Sequence, residues 1–171
     1  MIVRLPADPL IVLIGPSGSG KSTFAARHFG TTQVLSSDAL RAMVADDPND
    51  QTATDAAFEL LHATLEMRLA RRRLTVVDAT NVERWPRERL LAVARRHGRP
   101  VAAIVFDLPL ATCLDRNASR TDRHLPAAAI RRQHARMRAS LDGLGGEGFE
   151  PIAVLSTAEA VEAVGVESRP N

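Results

Sequence analysis

Short runs of consecutive apolar residues alternate along this chain with longer stretches whose apolar positions recur three and four apart. LIVLI (10–14), VLS (34–36), LTVVD (74–78), VAAIVFD (101–107) and PIAVL (151–155) are mostly apolar at successive positions. That is the form of parallel strands covered on both faces. Helical patterns fill the intervals at 21–29, 37–45, 52–73, 86–97, 109–120 and 126–141. Pro86, Pro109 and Pro126 stand where a first helical turn tolerates proline, and Gly98 follows the fourth helix as a stop. Alternating strand and helix predicts an α/β sandwich around a parallel sheet of five strands. GLGGEG (143–148) reads as a flexible connection before the last strand. The polar tail GVESRPN reads as a ragged end or the start of a linker.

Composition narrows this picture without redirecting it. The chain has 171 residues, 45% of them hydrophobic and 25% charged, which suits one globular domain over residues 1–171 with a substantial core. A net charge of +2 supplies no global field for nucleic acid, although arginines could still gather locally. Cys113 is the only cysteine, which excludes an internal disulfide; it reads as a small buried side chain on a helix. The apolar N-terminus is broken by Arg4, Pro6, Asp8 and Pro9, and no stretch approaches a membrane span, so a cytoplasmic location is expected. His28, His62, His97, His124 and His134 lack metal-ligand spacing. With Trp85 the only tryptophan and no tyrosine, stacking platforms for single-stranded nucleic acid are sparse.

One composition bias is informative. Lysine and arginine together number 22, and only Lys21 is a lysine. It lies in GPSGSGKST, where Gly15, Pro16, Ser17, Gly18, Ser19, Gly20, Lys21, Ser22 and Thr23 match the loop whose backbone N–H groups wrap a phosphate chain. A slender stem with a compact ammonium suits that loop better than a planar guanidinium. An apolar strand enters the loop and a helix leaves it, the context the motif requires. Lys21 is expected on the β- and γ-phosphates of ATP, and Ser22 on Mg²⁺.

Three further segments carry candidate chemistry, each with a plainer reading beside it. Asp78 ends the strand LTVVD, where a carboxylate orders magnesium and its waters; a strand-end aspartate also caps turns. In SSDALR, Asp38 and Arg41 are three apart at a helix start and share one face. There a carboxylate takes the proton of an attacking hydroxyl while the arginine grips an anionic acceptor. Equally, Asp38 could serve the helix dipole and Arg41 could be solvated. In RNASRTDR, Arg116, Arg120 and Arg123 stand at i, i+4 and i+7, so on a continuing helix they form one row. Such a row closes as a lid (about 115–126) over a transferring phosphoryl group, or it is a solvated stripe in an arginine-rich chain. RLARRR (68–73) is read as a solvated helix end.

Taken in order, GPSGSGKST, SSDALR, VVDATN and VFDLP followed by DRNASRTDR resemble the 5′-polynucleotide kinases, from about residue 10 to 155. The resemblance extends to bacteriophage end-healing enzymes. It is closest to the kinase domain of the bacterial RNA-repair polynucleotide kinase-phosphatase-ligase. It implies a P-loop kinase sandwich with strand order 2-3-1-4-5, ATP as phosphate donor, Mg²⁺, and 5′-OH RNA or DNA ends as acceptor. By the same resemblance Asp38 is the general base and Arg41 contacts the phosphate 3′ of the acceptor nucleoside. Arg116 and Arg120 are lid arginines on the donor, supported by Arg123. Proteins of that kind continue into phosphatase and ligase domains, so the chain is read as an isolated domain or a stand-alone kinase. Oligomeric state is not legible. A P-loop kinase of a small metabolite alcohol and a non-catalytic nucleotide-binding module remain as alternatives.

Overall fold

The computed structural model describes residues 1–121 and 125–168. Five parallel strands form the central sheet: β2 (Leu10–Ile14), β3 (Val34–Ser36), β4 (Thr75–Asp78), β5 (Val101–Phe106) and β6 (Ile152–Leu155). Their spatial order is β3-β4-β2-β5-β6, the predicted order with the strands renumbered. Every residue of β2, β4 and β5 is buried, which explains their unbroken apolar runs: helices cover both faces. One apolar cluster gathers Val12, Leu61, Leu65 and Leu91. The other gathers Ile11, Leu13, Phe24 and Phe106. Alternate residues of one strand thus belong to opposite cores.

The helices are α1 (Lys21–His28), α2 (Ser37–Ala45), α3 (Thr54–Ala70), α4 (Arg84–Arg96), α5 (Leu110–Ala118), α6 (Ala127–Leu141) and a short α7 (Ala158–Ala163). Pro109 and Pro126 are the N-cap residues of α5 and α6. Gly98, at φ +59°, ends α4 in the left-handed conformation that glycine adopts without strain.

The structure departs from several of these expectations. Within the tail, Gly165–Ser168 forms β7, parallel to β1 (Ile2–Leu5), and Val3 and Leu5 of this outlying ribbon are buried; residues 169–171 lie outside the described residues. α7 was not anticipated from the sequence at all. GLGGEG is anchored, because Leu144 and Glu147 are both buried within it. Finally, the arginine row does not ride one helix. α5 stops at Ala118, since the Asn117 side chain donates to the Leu125 carbonyl at 2.9 Å and accepts from the Leu125 N–H at 3.1 Å. Arg116 therefore lies in the last turn and Arg120 beyond it; Arg123 and His124 lie outside the described residues. Nor is RLARRR wholly solvated, for Arg68 donates to Thr75 Oγ1 and the Leu74 carbonyl.

Candidate active site

Register puts the chemistry at one sheet edge. Leu13 pairs with Asp78, and Asp78 with Ser36, so the phosphate loop, the end of β4 and the start of α2 emerge side by side. In a parallel sheet that carboxyl edge is where ligands bind. A cleft of about 810 Å³ opens there. Ser17, Gly18, Gly20, Lys21, Ser22 and Thr23 form its floor, Asp38 and Arg41 one wall, and Arg116 and Arg120 its rim, with Asp78 at the base. Gly15, Pro16 and Ser19 are buried behind that floor.

The loop's shape follows from its glycines. Gly18 (φ +81°) and Gly20 (φ +98°) occupy backbone regions that L side chains rarely adopt. A Cβ on Gly18 would run into the Cys113 carbonyl, so α5 rests directly on the loop. Lys21 is buried and curls back over its own loop. Its Nζ donates to the carbonyls of Gly15 (2.9 Å) and Pro16 (2.8 Å) and to Ser19 Oγ (3.4 Å). An ammonium has three donors and no acceptor, which suits it to these oxygen partners. Burial pushes the Cys113 thiol upward, with the charges of Lys21 and Arg116 opposing the shift.

On the wall, Arg41 Nη1 donates to Asp38 Oδ1 at 2.8 Å and to the Pro48 carbonyl at 2.9 Å, and Nε reaches Thr54 Oγ1 at 3.4 Å. Arg41 is 4% exposed, which rules out the solvated alternative. Burial pulls its pKa below the ordinary value, opposed by the Asp50 carboxylate. Its Nη2 makes no protein hydrogen bond among the described residues. Ser36, not Asp38, caps α2, accepting from the Ala39 N–H at 3.4 Å.

A model of an AAA domain family matches residues 10–144, most of the chain. The chain belongs to this AAA domain family. Among solved structures, this AAA domain is similar to a chain of the Pnkp1/Rnl/Hen1 RNA repair complex (TM-score 0.64, 23% identity). The match covers 83% of this chain and 47% of that one, so the domain spans about half that protein's length. It is similar to a gluconokinase from Sinorhizobium meliloti (TM-score 0.57, 23% identity, 92% and 89% covered). It is also similar to Chaetomium thermophilum Kti12 in complex with ADP-AlF3 (TM-score 0.61, 16% identity, 90% and 94% covered). No curated protein matches it. The fold is that of a P-loop kinase.

Several residues of the AAA domain's site carried no signal in the sequence. Gln133 of α6 accepts at Oε1 from the Ser17 N–H at 2.8 Å. Arg87 of α4 is wholly buried; its Nε donates to Glu147 Oε2 at 2.8 Å and its Nη1 to the Asn81 carbonyl at 2.9 Å. Asn81 (φ +46°) in turn donates from Nδ2 to the Leu13 carbonyl at 2.8 Å, while the Gly15 N–H donates to the Thr80 carbonyl at 3.0 Å. This buried chain of bonds ties the segment after Asp78 to the strand that enters the phosphate loop. Buried charge of this kind is paired and hydrogen-bonded throughout, as its desolvation demands.

Proposed function

We propose that the protein is an ATP-dependent polynucleotide 5′-hydroxyl kinase of nucleic-acid end repair, acting on 5′-OH ends of RNA or DNA. The observation that carries this reading is the Asp38–Arg41 pair facing the phosphate loop across one cleft. A nucleotide switch has no need of a carboxylate oriented by a buried arginine opposite the terminal phosphate. The likeness to a chain of an RNA repair complex supports the same acceptor.

Each residue has a definable task. Loop amides and Lys21 hold the β- and γ-phosphates, with Lys21 exchanging carbonyl partners for phosphate oxygens. Asp38 accepts the proton of the 5′-hydroxyl, and the hydroxyl oxygen forms a bond to the γ-phosphorus as the bond to the ADP oxygen breaks. Arg41 aligns that carboxylate through Nη1 and offers Nη2 to the acceptor's next backbone phosphate. Arg116 and Arg120 neutralise charge on the phosphoryl group in flight, with Arg123 supporting them.

Ser22 and Asp78 both line the cleft, and no group of three metal-ligating side chains occurs among the described residues. That donor set fits Mg²⁺, a hard cation that keeps waters and takes few protein oxygens beside phosphates. Ser22 would hold it directly and Asp78 through water, and it would neutralise phosphate charge.

The test is transfer from γ-labelled ATP to a 5′-OH oligonucleotide, a nucleoside 3′-phosphate and a plain nucleoside. Arg41→Ala should lose most on the two acceptors bearing a 3′ phosphate and little on the nucleoside. Asp38→Asn should slow all three by about 10²–10⁴-fold with ATP affinity held. Phosphorylation of a free sugar acid, with no transfer to oligonucleotides, would select the metabolite-kinase reading that the gluconokinase likeness favours.

A further inference from the structure

The hydrogen bond from the Ser17 N–H to Gln133 determines more than the position of a side chain. Of the two ends of a carboxamide only the oxygen can accept from a backbone N–H, so the bond fixes which end is Oε1 and which is Nε2. The Nε2 end carries two N–H donors, and these make no hydrogen bond among the described residues. Gln133 itself lines the cleft, as do Lys21 and Arg116. Ser17 follows Pro16, whose carbonyl holds the Lys21 ammonium. The lysine of this loop serves the β- and γ-phosphates, so Ser17 and Gln133 stand at the terminal-phosphate end.

A carboxamide anchored at its acceptor, with its donors open to the cleft, is an aligned and neutral source of hydrogen bonds to developing anionic charge. We infer that Gln133 is a further catalytic residue, donating from Nε2 to the terminal phosphate of the nucleotide while Oε1 remains on the Ser17 N–H. The inference rests on reading the cleft as a phosphoryl-transfer site. It adds a neutral donor from α6 to the cationic ones on α1 and α5.

Two substitutions separate contact with phosphate from support of the loop. Gln133→Glu keeps an acceptor for the Ser17 N–H, deletes both donors and brings an anion to the phosphate. Gln133→Met keeps the length and deletes both functions. Gln133 is half-exposed on its helix, so both variants should fold. Measured by competition binding, Gln133→Glu should weaken ATP at least tenfold more than ADP, and Gln133→Met should show the same order with a smaller gap. Single-turnover transfer by Gln133→Glu should fall about 10²–10³-fold, the usual loss for one preorganised donor. Equal weakening of ATP and ADP in both variants would make Gln133 a brace of the loop and overturn the inference. Transfer by Gln133→Glu within twofold of the unsubstituted protein would do the same. The ATP–ADP comparison needs no acceptor. If the unsubstituted protein failed to phosphorylate oligonucleotides, the polynucleotide reading would fall, and the binding data would still decide the role of Gln133.

Discussion

The floor of the cleft and its rim are built on different terms. At and beneath the floor, a set of polar groups is buried and matched: Lys21 to its own loop carbonyls, Arg87 to Glu147 and the Asn81 carbonyl, Asn81 to the Leu13 carbonyl. On the rim, Arg116 reaches the Ser19 carbonyl only at 3.5 Å, and Arg120 is half-exposed beyond the end of α5. These buried groups are therefore bound up with stability, whereas the rim arginines Arg116 and Arg120 keep part of their surface in water. The same charge does two jobs, set by how much water it has lost.

That contrast is open to direct attack. The largest loss of stability should come from Arg87→Met, which leaves the Glu147 carboxylate buried without its partner. A cost of about 3–5 kcal/mol is expected, read as a lower urea midpoint. Adding Glu147→Leu should restore most of that stability, since a packed apolar pair replaces a buried ion pair at little cost. Transfer should stay slow in the double variant, because the Asn81 carbonyl has still lost its donor. Full recovery of both would make the pair a matter of stability alone.

Gly18→Ala should come next, at roughly 1–3 kcal/mol for a side chain forced to positive φ against the Cys113 carbonyl. Nucleotide affinity should fall with it, because α5 and the loop cannot both keep their places. Smallest in stability should be Arg116→Ala and Arg120→Ala, each within about 0.5 kcal/mol of the unsubstituted protein. Both should nonetheless slow transfer to every acceptor. Urea midpoints lowered as far by the rim variants as by Arg87→Met would erase the distinction between floor and rim.

What the sequence disclosed follows the same division between local and distant causes. The β2 strand, GPSGSGKST and α1 are contiguous, so spacing alone announced the loop and the reason for its lysine. Asp38 and Arg41 are three apart, and their pairing was legible for the same reason. The Arg87–Glu147 pair spans 60 positions and the Ser17–Gln133 bond 116, and neither leaves a periodic trace. The end of α5 was misread because no glycine or proline marks it; a tertiary bond from Asn117 to Leu125 supplies the stop. The β1–β7 ribbon joins the two ends of the chain, and a polar tail looks like a loop until its partner is in place.

The contact between Gly18 and Cys113 has a practical consequence. The chain's only thiol belongs to the residue whose carbonyl meets the phosphate loop, and it lies wholly buried in the core with its acidity suppressed by burial. A thiol-directed reagent can label it only after an opening that exposes the core around α5. Labelling rate is then a clock for such opening, read by mass spectrometry on unaltered protein, and its slowing by nucleotide reports how firmly a bound phosphate chain holds the loop and α5 together.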